Sequence, residues 1–158
     1  MVNEKIAVAQ RQAQDIALSI EIIYHEKSGK STDQAVEALG ATANMVIKSL
    51  VLYASKEDVF VGFIILGTNQ LDIKKACRAA GVKKLRFASP EQIGALTGFD
   101  IGGVPPTALQ RCSALFLDSK VIEQKFVIGA GGDEHCGMKF SPKQFLEKTE
   151  AGLSDVTK

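Results

Sequence analysis

The chain has 158 residues, of which 46% are hydrophobic and 23% charged, and this balance excludes a disordered or fibrous protein. A net charge of +1 argues against a protein that holds many nucleic-acid phosphates at once, although it permits brief contact with one end of an RNA. The length fits a single domain over residues 1–158.

The sequence predicts neither a membrane span nor a secretion signal. The longest apolar runs, 46–54 and 59–66, have strand length and fall short of the roughly 20 residues that a membrane helix needs. The start of the chain lacks the basic and apolar regions of a signal peptide, so a cytoplasmic location is expected. Cys77, Cys112 and Cys136 are odd in number and lack C-x-x-C spacing, which predicts reduced thiols. We expect no metal and no cofactor.

Apolar residues at helical or alternating spacing divide the first half of the chain into short elements. They predict a helix over 4–19, a strand over 20–25, a helix from Ser31 or Thr32 to Gly40, and a buried hairpin of 45–54 and 59–66. A helix over 71–80 and a short strand over 84–87 follow. Asp72 near the start of 71–80 and Gly81 just after it are typical helix limits.

The second half contains the clearest helix-start signal, Ser89-Pro90-Glu91-Gln92, in which serine caps the helix and proline occupies its first turn. This helix is predicted to stop at Gly98. The remaining elements are a loop over 99–106, strands over 114–117 and 121–128, a glycine-rich loop over 129–137, a strand over 138–140 and a helix from Ser141-Pro142 to about 149. Residues after Gly152 are expected to be frayed.

Helices and strands are interspersed without strict strand–helix–strand alternation. A mixed α/β fold of the α+β type is therefore predicted, with a partly antiparallel mixed sheet or barrel surrounded by helices. The helix over 4–19 is expected to extend this domain at its N-terminus.

Lys48 lies inside the apolar run 45–52, where an unpaired ammonium group is costly to bury. Its side chain is therefore expected to point into a cleft or to meet a partner. The alternative is a lysine on the solvated face of an edge strand, where a charge limits aggregation. The pattern alone favours this alternative, since half of a strand's positions normally face water.

Two glycine-rich segments are candidates for binding a ligand, because their glycines permit close approach and the prolines of the first segment fix its backbone. The candidate residues are Gly102, Gly103, Val104 and Pro106 in the first segment and Gly129, Ala130 and Gly131 in the second. An ordinary tight turn is the alternative for the first segment, and the pattern slightly favours it. The second lacks the residues of a Walker loop and the following helix of a dinucleotide-binding turn.

His135 and Cys136 are adjacent, which suggests a thiol nucleophile. Neighbours on a loop seldom point at each other, however, and no signature of a thiol protease surrounds them. We interpret His25 as a surface or packing histidine. Basic residues cluster within 74–78 and 83–86, but solvated faces explain them adequately, so they are weak evidence for nucleic-acid contact.

Taken together, several motifs resemble those of the YbaK/prolyl-tRNA editing domain family in order, spacing and type over nearly the whole chain. The motifs are Ile47-Lys48-Ser49-Leu50, Lys83 to Glu91 with Thr97-Gly98, Gly102-Gly103-Val104-Pro105-Pro106, and Gly129-Ala130-Gly131. The resemblance implies a mixed sheet and helices around a cleft. It also implies hydrolysis of the ester that joins an amino acid to the 3′ adenosine of tRNA.

The resemblance implies roles for particular residues. Lys48 stands at the position of the lysine that is the functional hallmark of the family, and it is expected to be catalytic. The family's Gly-x-x-x-Pro loop corresponds to Gly102–Pro106, and its strand-end glycines correspond to Gly129 and Gly131, which are expected to bind substrate. Pro105 departs from the serine often found before the final proline, so a hydroxyl and a backbone donor are missing.

The implied function is a trans-editing deacylase for cysteine or alanine on proline tRNA, a chemistry that requires no serine or cysteine nucleophile. Lys48 would contact the phosphate of the terminal adenosine or the reacting ester, while N–H groups of Gly102 and Gly103 or of 129–131 would hold the carbonyl. The expected partners are the tRNA acceptor end and a synthetase. The main alternative is a non-catalytic module that binds aminoacyl or nucleotide ligands or a synthetase, and a weaker one is an unrelated small-ester hydrolase.

Overall fold

The computed structural model describes residues 4–25, 34, 36 and 43–158. Its helices are α1 (Glu4–Asp15), α2 (Ile73–Ala80), α3 (Pro90–Thr97) and α4 (Pro142–Lys148). Its strands are β1 (Ile20–Tyr24), β2 (Ile47–Ala54), β3 (Val59–Leu66), β4 (Arg86–Phe87), β5 (Ala114–Asp118), β6 (Val127–Ala130), β7 (Cys136–Phe140) and β8 (Gly152–Ser154). Short 3-10 helices cover Ala43–Met45, Pro106–Arg111 and Val121–Glu123. The helix predicted over 31–40 lies outside the described residues except for Gln34 and Val36, which are helical.

The strands form two sheets and confirm the predicted α+β class. The larger sheet has the order β4-β2-β3-β5-β8, with the β2–β3 hairpin antiparallel and the β3–β5 and β5–β8 pairs parallel. The smaller sheet is antiparallel and has the order β1-β7-β6. Val46 and Ile128 form an isolated parallel bridge between the sheets. Because β2 and β6 meet in a bridge and not in a ladder, the described strands form open sheets, and the barrel alternative is wrong.

Strand β2 separates two apolar layers, because its side chains alternate between its faces. Ile47 and Val51 belong to the main core between the two sheets. Leu52 belongs to a smaller cluster that includes Ala76 of α2. Lys48 therefore leaves β2 on the side of α2, whereas Ile47 leaves it on the side of the main core.

Local sequence signals set the limits of α2 and α3, as predicted. The Asp72 side chain accepts a hydrogen bond from the Lys75 N–H at the start of α2, and Gly81 ends α2 in the left-handed conformation. Ser89 and Gln92 cap the start of α3 reciprocally, each side chain bonding the other residue's backbone N–H. These hydrogen bonds satisfy donors that a helix start otherwise leaves unpaired.

Helix α1 ends at Asp15, earlier than the predicted limit of about residue 19. Ala17 adopts a left-handed conformation with φ of 55°. Its N–H bonds the Gln14 carbonyl at 3.0 Å, and the Leu18 N–H bonds the Ala13 carbonyl at 2.9 Å. This pair of bonds closes the helix in the way that a C-terminal glycine usually does.

Two predictions for the second half are wrong. The segment 121–128 is not one strand, because a 3-10 helix that buries Val121 completely precedes β6. Residues after Gly152 are not frayed, since they form β8 and continue to Val156 and Thr157, which are both fully buried. In both places long-range packing overrides the local pattern.

Candidate functional site

Lys48 is half-buried near the start of β2. Its ammonium Nζ donates a hydrogen bond to the Asn69 carbonyl oxygen at 2.9 Å. Asn69 lies in the turn 67–70 that follows β3, and the Gly67 N–H ties this turn to the Val46 carbonyl at 2.7 Å. Lys48 thus meets a partner, as expected for a lysine in an apolar strand.

The two glycine-rich segments lie against each other. A Cβ atom added to Gly129 would lie 2.9 Å from Pro106 Cγ and 3.2 Å from Ile47 Cδ1. A Cβ atom added to Gly103 would lie 3.0 Å from the Gly132 carbonyl oxygen. These distances are shorter than ordinary van der Waals contact, so the approach of the two segments depends on glycine at both positions.

Lys48 and the glycine segments are directed to opposite faces of β2. Ile47 reaches Gly129, while Lys48, the next residue, reaches Asn69. This alternation is a general property of strands. The structure therefore brings the two glycine segments together but directs the Lys48 ammonium away from them.

Two of the backbone N–H groups predicted to hold a carbonyl are already occupied. The Gly103 N–H donates to the Asp100 carbonyl at 2.9 Å, and the Gly131 N–H donates to the Cys136 carbonyl at 2.9 Å. Their hydrogen bonds belong to a tight turn and to the end of the β6–β7 ladder. Each group would have to give up or share its present acceptor to bind a ligand, and the role of these two donors stays a prediction.

The N–H groups of Ala130 and Gly102, unlike those of Gly103 and Gly131, are not used in the turn or in the β6–β7 ladder. In an antiparallel pair the N–H groups of successive residues face opposite edges of the strand. Because the Gly131 N–H faces β7, the Ala130 N–H faces the other edge of β6, where Ile128 bridges to Val46. Gly102 has a φ of 91°, and its N–H has no acceptor within the part of the chain that the structure describes.

Ser49 is a candidate that the sequence analysis missed. Its Oγ is buried and has no hydrogen-bond partner among the described residues. Ser49 lies on the same face of β2 as Ile47, the residue that meets Gly129. Because buried hydroxyl groups are nearly always bonded, an unpaired one indicates a group that a ligand could satisfy. The only signal in the sequence is a second polar residue, next to Lys48, within an apolar run.

Helix α1 contacts both glycine segments. Lys5 forms an ion pair of 2.8 Å with Asp100, which precedes the first segment. The Thr107 hydroxyl, just after that segment, donates to Gln12 Oε1 at 3.1 Å. A Cβ atom on Gly132 would lie 2.7 Å from the Lys5 carbonyl oxygen. The N-terminal helix, to which the sequence analysis assigned no role, therefore supports the candidate site.

The thiols of Cys112 and Cys136 are protonated at neutral pH. Burial raises the pKa of Cys112 to about 12. Burial and, secondarily, the Asp133 carboxylate raise the pKa of Cys136 to about 11. His135 lies 3.7 Å from a Glu134 carboxylate oxygen. Since the thiolate is the reactive form of cysteine, this environment disfavours a thiol nucleophile.

A groove of about 700 Å³ opens beside α2, and we call it the basic groove. Its charged lining residues are Lys74, Arg78, Lys83, Lys84 and Arg86. No acidic side chain lines it, and within the described ranges the first four of these cations form no ion pair. The Arg86 guanidinium lies 4.8 Å above the centroid of the Tyr53 ring. Tyr53 is about 17 Å along β2 from Lys48, at 3.2–3.4 Å per residue.

No group of three or more His, Cys, Asp or Glu side chains in 4–25, 34, 36 and 43–158 is arranged to hold a metal ion. None of the helices in those ranges is long and apolar enough to cross a membrane.

Comparison with known protein families gives one match to a family model. Residues 26–147 match the aminoacyl-tRNA editing domain. The matched stretch contains Lys48, Ser49 and both glycine segments, whereas α1, β1 and β8 lie outside it.

Individual relatives agree with this match. A candidate Cys-tRNA(Pro)/Cys-tRNA(Cys) deacylase, EbsC of Enterococcus faecalis, is 25% identical over 127 residues, 80% of this chain and 77% of that protein. A proline–tRNA ligase of Nitratidesulfovibrio vulgaris is 31% identical over 110 residues, 68% of this chain but 19% of the ligase. The crystal structure of a candidate trans-editing enzyme for prolyl-tRNA synthetase superposes with a TM-score of 0.87 at 29% identity, covering 100% of this chain and 99% of the other.

Proposed function

Because the chain belongs to the aminoacyl-tRNA editing domain family, we propose that it is a trans-acting deacylase that hydrolyses the ester of mischarged tRNA. The observation that carries the proposal is the family match over 26–147, which includes Lys48 and both glycine segments. The named relatives favour proline tRNA as the acceptor and cysteine as the amino acid. Alanine, which the family resemblance implies, is the second candidate. Such an enzyme works where tRNA is charged, in the cytoplasm, with a synthetase as a transient partner.

The need for such an activity follows from the limits of selection by binding. A synthetase pocket separates amino acids that differ by one methylene by only about 1–3 kcal/mol, so small amino acids require a second sieve. Ester hydrolysis needs donors for the tetrahedral oxyanion and a positioned water or ribose hydroxyl. The protonated state of Cys112 and Cys136 supports attack by one of these oxygens instead of a thiol.

The aminoacyl group is proposed to lie beside the junction of the two glycine segments. Glycine at 103 and 129 lets this junction close, because Pro106 and Ile47 pack directly on Gly129 and the Gly132 carbonyl packs on Gly103, so the substrate would lie next to the junction and not inside it. The polar groups of this region without a partner in the β6–β7 ladder or in β2 are the outward N–H of Ala130 and the enclosed hydroxyl of Ser49. We assign the oxyanion to the Ala130 and Gly102 N–H groups and the positioning of the substrate to Ser49.

Lys48 is proposed to bind a phosphate of the terminal nucleotide and not the ester carbonyl. Its ammonium lies on the α2 side of β2, away from the glycine segments and on the side where the basic groove opens. Lysine binds phosphate as a point charge and requires no fixed plane. The bond to the neutral Asn69 carbonyl keeps the ammonium directed to that side without neutralising it.

The basic groove is proposed to hold the phosphate backbone of the acceptor stem. Its Tyr53 end lies about 17 Å along β2 from Lys48, and its cations are not compensated by acids within the described residues. A local cluster of this kind reconciles RNA contact with a net charge of only +1.

Replacing both Lys83 and Lys84 with alanine should weaken binding of full-length tRNA, because two phosphate contacts are lost. The slope of log affinity against log salt concentration should become shallower by roughly 1.4–1.8. Deacylation of a short aminoacylated 3′ oligonucleotide should stay unchanged. The matched control is the double replacement of Lys143 and Lys148 with alanine on α4, which should leave the slope as it is. Equal slopes for both variants would remove the groove from the tRNA interface.

The decisive experiment incubates the protein with a panel of mischarged tRNAs and measures release of the amino acid. A deacylase should release cysteine or alanine from proline tRNA and leave correctly charged prolyl-tRNA intact. A binding module would shift the same tRNAs in a gel and release no amino acid. Binding without release from any member of the panel would overturn the proposed activity.

A further inference from the structure

The C-terminal tail, residues 155–158, runs beside the turn that holds Lys48. The Asn69 carbonyl accepts the hydrogen bond from the Lys48 ammonium. Asn69 immediately precedes residues 70–72, which contact the tail. The backbone contacts are the Asp72 N–H to the Val156 carbonyl at 2.8 Å, a Leu71–Thr157 bridge, and the Lys158 N–H to the Gln70 carbonyl at 3.0 Å. The tail therefore pairs with the chain directly next to the acceptor of Lys48.

Asp118 anchors the tail from beneath. Its carboxylate is fully buried, and it accepts the Val156 N–H at 2.8 Å and the Thr157 hydroxyl at 3.3 Å. The Lys120 ammonium donates to the same hydroxyl at 2.7 Å. A buried carboxylate is costly unless it is hydrogen-bonded, so Asp118 favours the docked position of the tail over a released one.

Lys75 of α2 holds the tail from the other side. Its ammonium donates to the Thr157 carbonyl at 2.8 Å and pairs with Asp155 at 2.9 Å. The hydrogen bond from Lys75 lowers the pKa of the Asp155 carboxyl, which keeps that partner ionised. Thr157 is thus bonded through its backbone and its side chain to three different elements of the fold.

We propose that the C-terminal tail is a positioning element for Lys48, acting through the turn 67–70. The Val46 carbonyl holds one end of this turn and the tail holds the other, which fixes the Asn69 carbonyl between them. The positioning residues are Lys75, which binds the tail, and Thr157, which belongs to it, and neither touches the site. The contacts of the tail stand independently of the proposed function, but the kinetic consequence rests on it.

Hydrogen bonds joined by short stretches of backbone connect Asp118 through the tail and Gln70 to Asn69 and Lys48. Coupling between Asp118 and Lys48 requires an element of the fold that can adopt two arrangements. In this proposal the element is the tail, and its two arrangements are docked and released. Release removes the bonds that limit the turn, so the Lys48 ammonium loses its fixed acceptor and becomes accessible to solvent.

The test measures how fast an amine-acylating reagent modifies Lys48, read by peptide mass spectrometry with exposed Lys56 as the internal reference. The variants are Lys75→Met, Thr157→Val and Lys75→Arg, with Lys148→Met as the matched control on α4. Loss of the tail contacts should raise the Lys48 rate roughly 2- to 10-fold for each hydrogen bond lost. Lys75→Arg should restore the native rate, and Lys148→Met should not change it.

The kinetic readout separates positioning from general destabilisation. In Lys75→Met we expect KM for mischarged tRNA to rise with little change in kcat, because Lys48 binds substrate without entering the chemical step. Lys75 is partly exposed, so this variant stays informative if Thr157→Val fails to fold. A native Lys48 acylation rate in folded Lys75→Met would overturn the inference. A raised rate in a protein that deacylates nothing would support the tail inference and defeat the proposed function.

Discussion

Replacing Lys48 with methionine is expected to lower kcat/KM for mischarged tRNA by roughly 10- to 150-fold, the cost of one charge-assisted hydrogen bond of about 1.5–3 kcal/mol. Methionine keeps the stem that packs on β2 and removes the charge and the donor. If the lysine binds a phosphate, most of the loss should appear in KM, because the contact exists in both the bound substrate and the transition state. Steady-state kinetics with cysteinyl- or alanyl-tRNA for proline measures this split.

The control is Lys56→Met in the turn between β2 and β3, which removes an equal charge from an exposed position. It should leave both kinetic constants unchanged. Lys48→Ala should be at least as inactive as Lys48→Met and should keep the native circular dichroism spectrum. A Lys48→Met enzyme with native kcat/KM would show that the assignment of Lys48 is wrong. A loss confined to kcat would instead favour direct contact with the reacting ester.

The parts of the fold that could be predicted from the sequence are those whose signals are local. Asp72 and Gly81 limit α2, and the Ser89 motif starts α3, because each acts within one helical turn of its own position. The hairpin of β2 and β3 follows in the same way, since its two apolar runs are joined by a short polar turn. The α+β class could be derived from these elements.

The parts that could not be predicted depend on distant partners or on an unusual backbone conformation. Residues after Gly152 are polar enough to suggest fraying, and their order depends on Asp118, which lies some 38 residues earlier than Val156. The early end of α1 is closed by local hydrogen bonds, but these require a left-handed Ala17, a conformation that alanine rarely adopts. Neither feature follows from the local pattern of residue types.

The candidate site likewise has features that the sequence could predict and features that it could not. The glycine segments could be named from composition, and their mutual contact explains why glycine is needed there. The sequence could not show which N–H groups remain available, because that depends on the register of β6 against β7. That Lys48 and Ile47 point to opposite faces follows from the predicted strand. The sequence could not show that one face meets Gly129 and the other meets Asn69, which is what separates phosphate binding from ester binding in the proposed mechanism.

Replacing Gly132 with alanine should destabilise the protein by roughly 2–6 kcal/mol, because backbone strain of about 1–3 kcal/mol and overpacking of about 1–3 kcal/mol act together. Gly132 has a φ of 112°, which alanine tolerates poorly. The added Cβ would lie 2.7 Å from the Lys5 carbonyl oxygen and 3.1 Å from Ile6 Cα. These are backbone atoms of α1, so the contact cannot be relieved by a side-chain rotation.

Alanine variants of two other glycines separate the cost of backbone strain from the cost of steric collision. Gly98→Ala has the strain without the collision, since its φ is 80° and its added Cβ meets open space, and it should cost about 1–2 kcal/mol. Gly94→Ala lies inside α3 in open space and should stabilise the protein by about 0.5–1 kcal/mol. Denaturant unfolding of the three variants measures the order of their free energies of unfolding. If Gly132→Ala is no less stable than Gly98→Ala, α1 does not press on the glycine segments. If the predicted order holds, and folded Gly132→Ala also deacylates more slowly, then α1 is part of what shapes the substrate site.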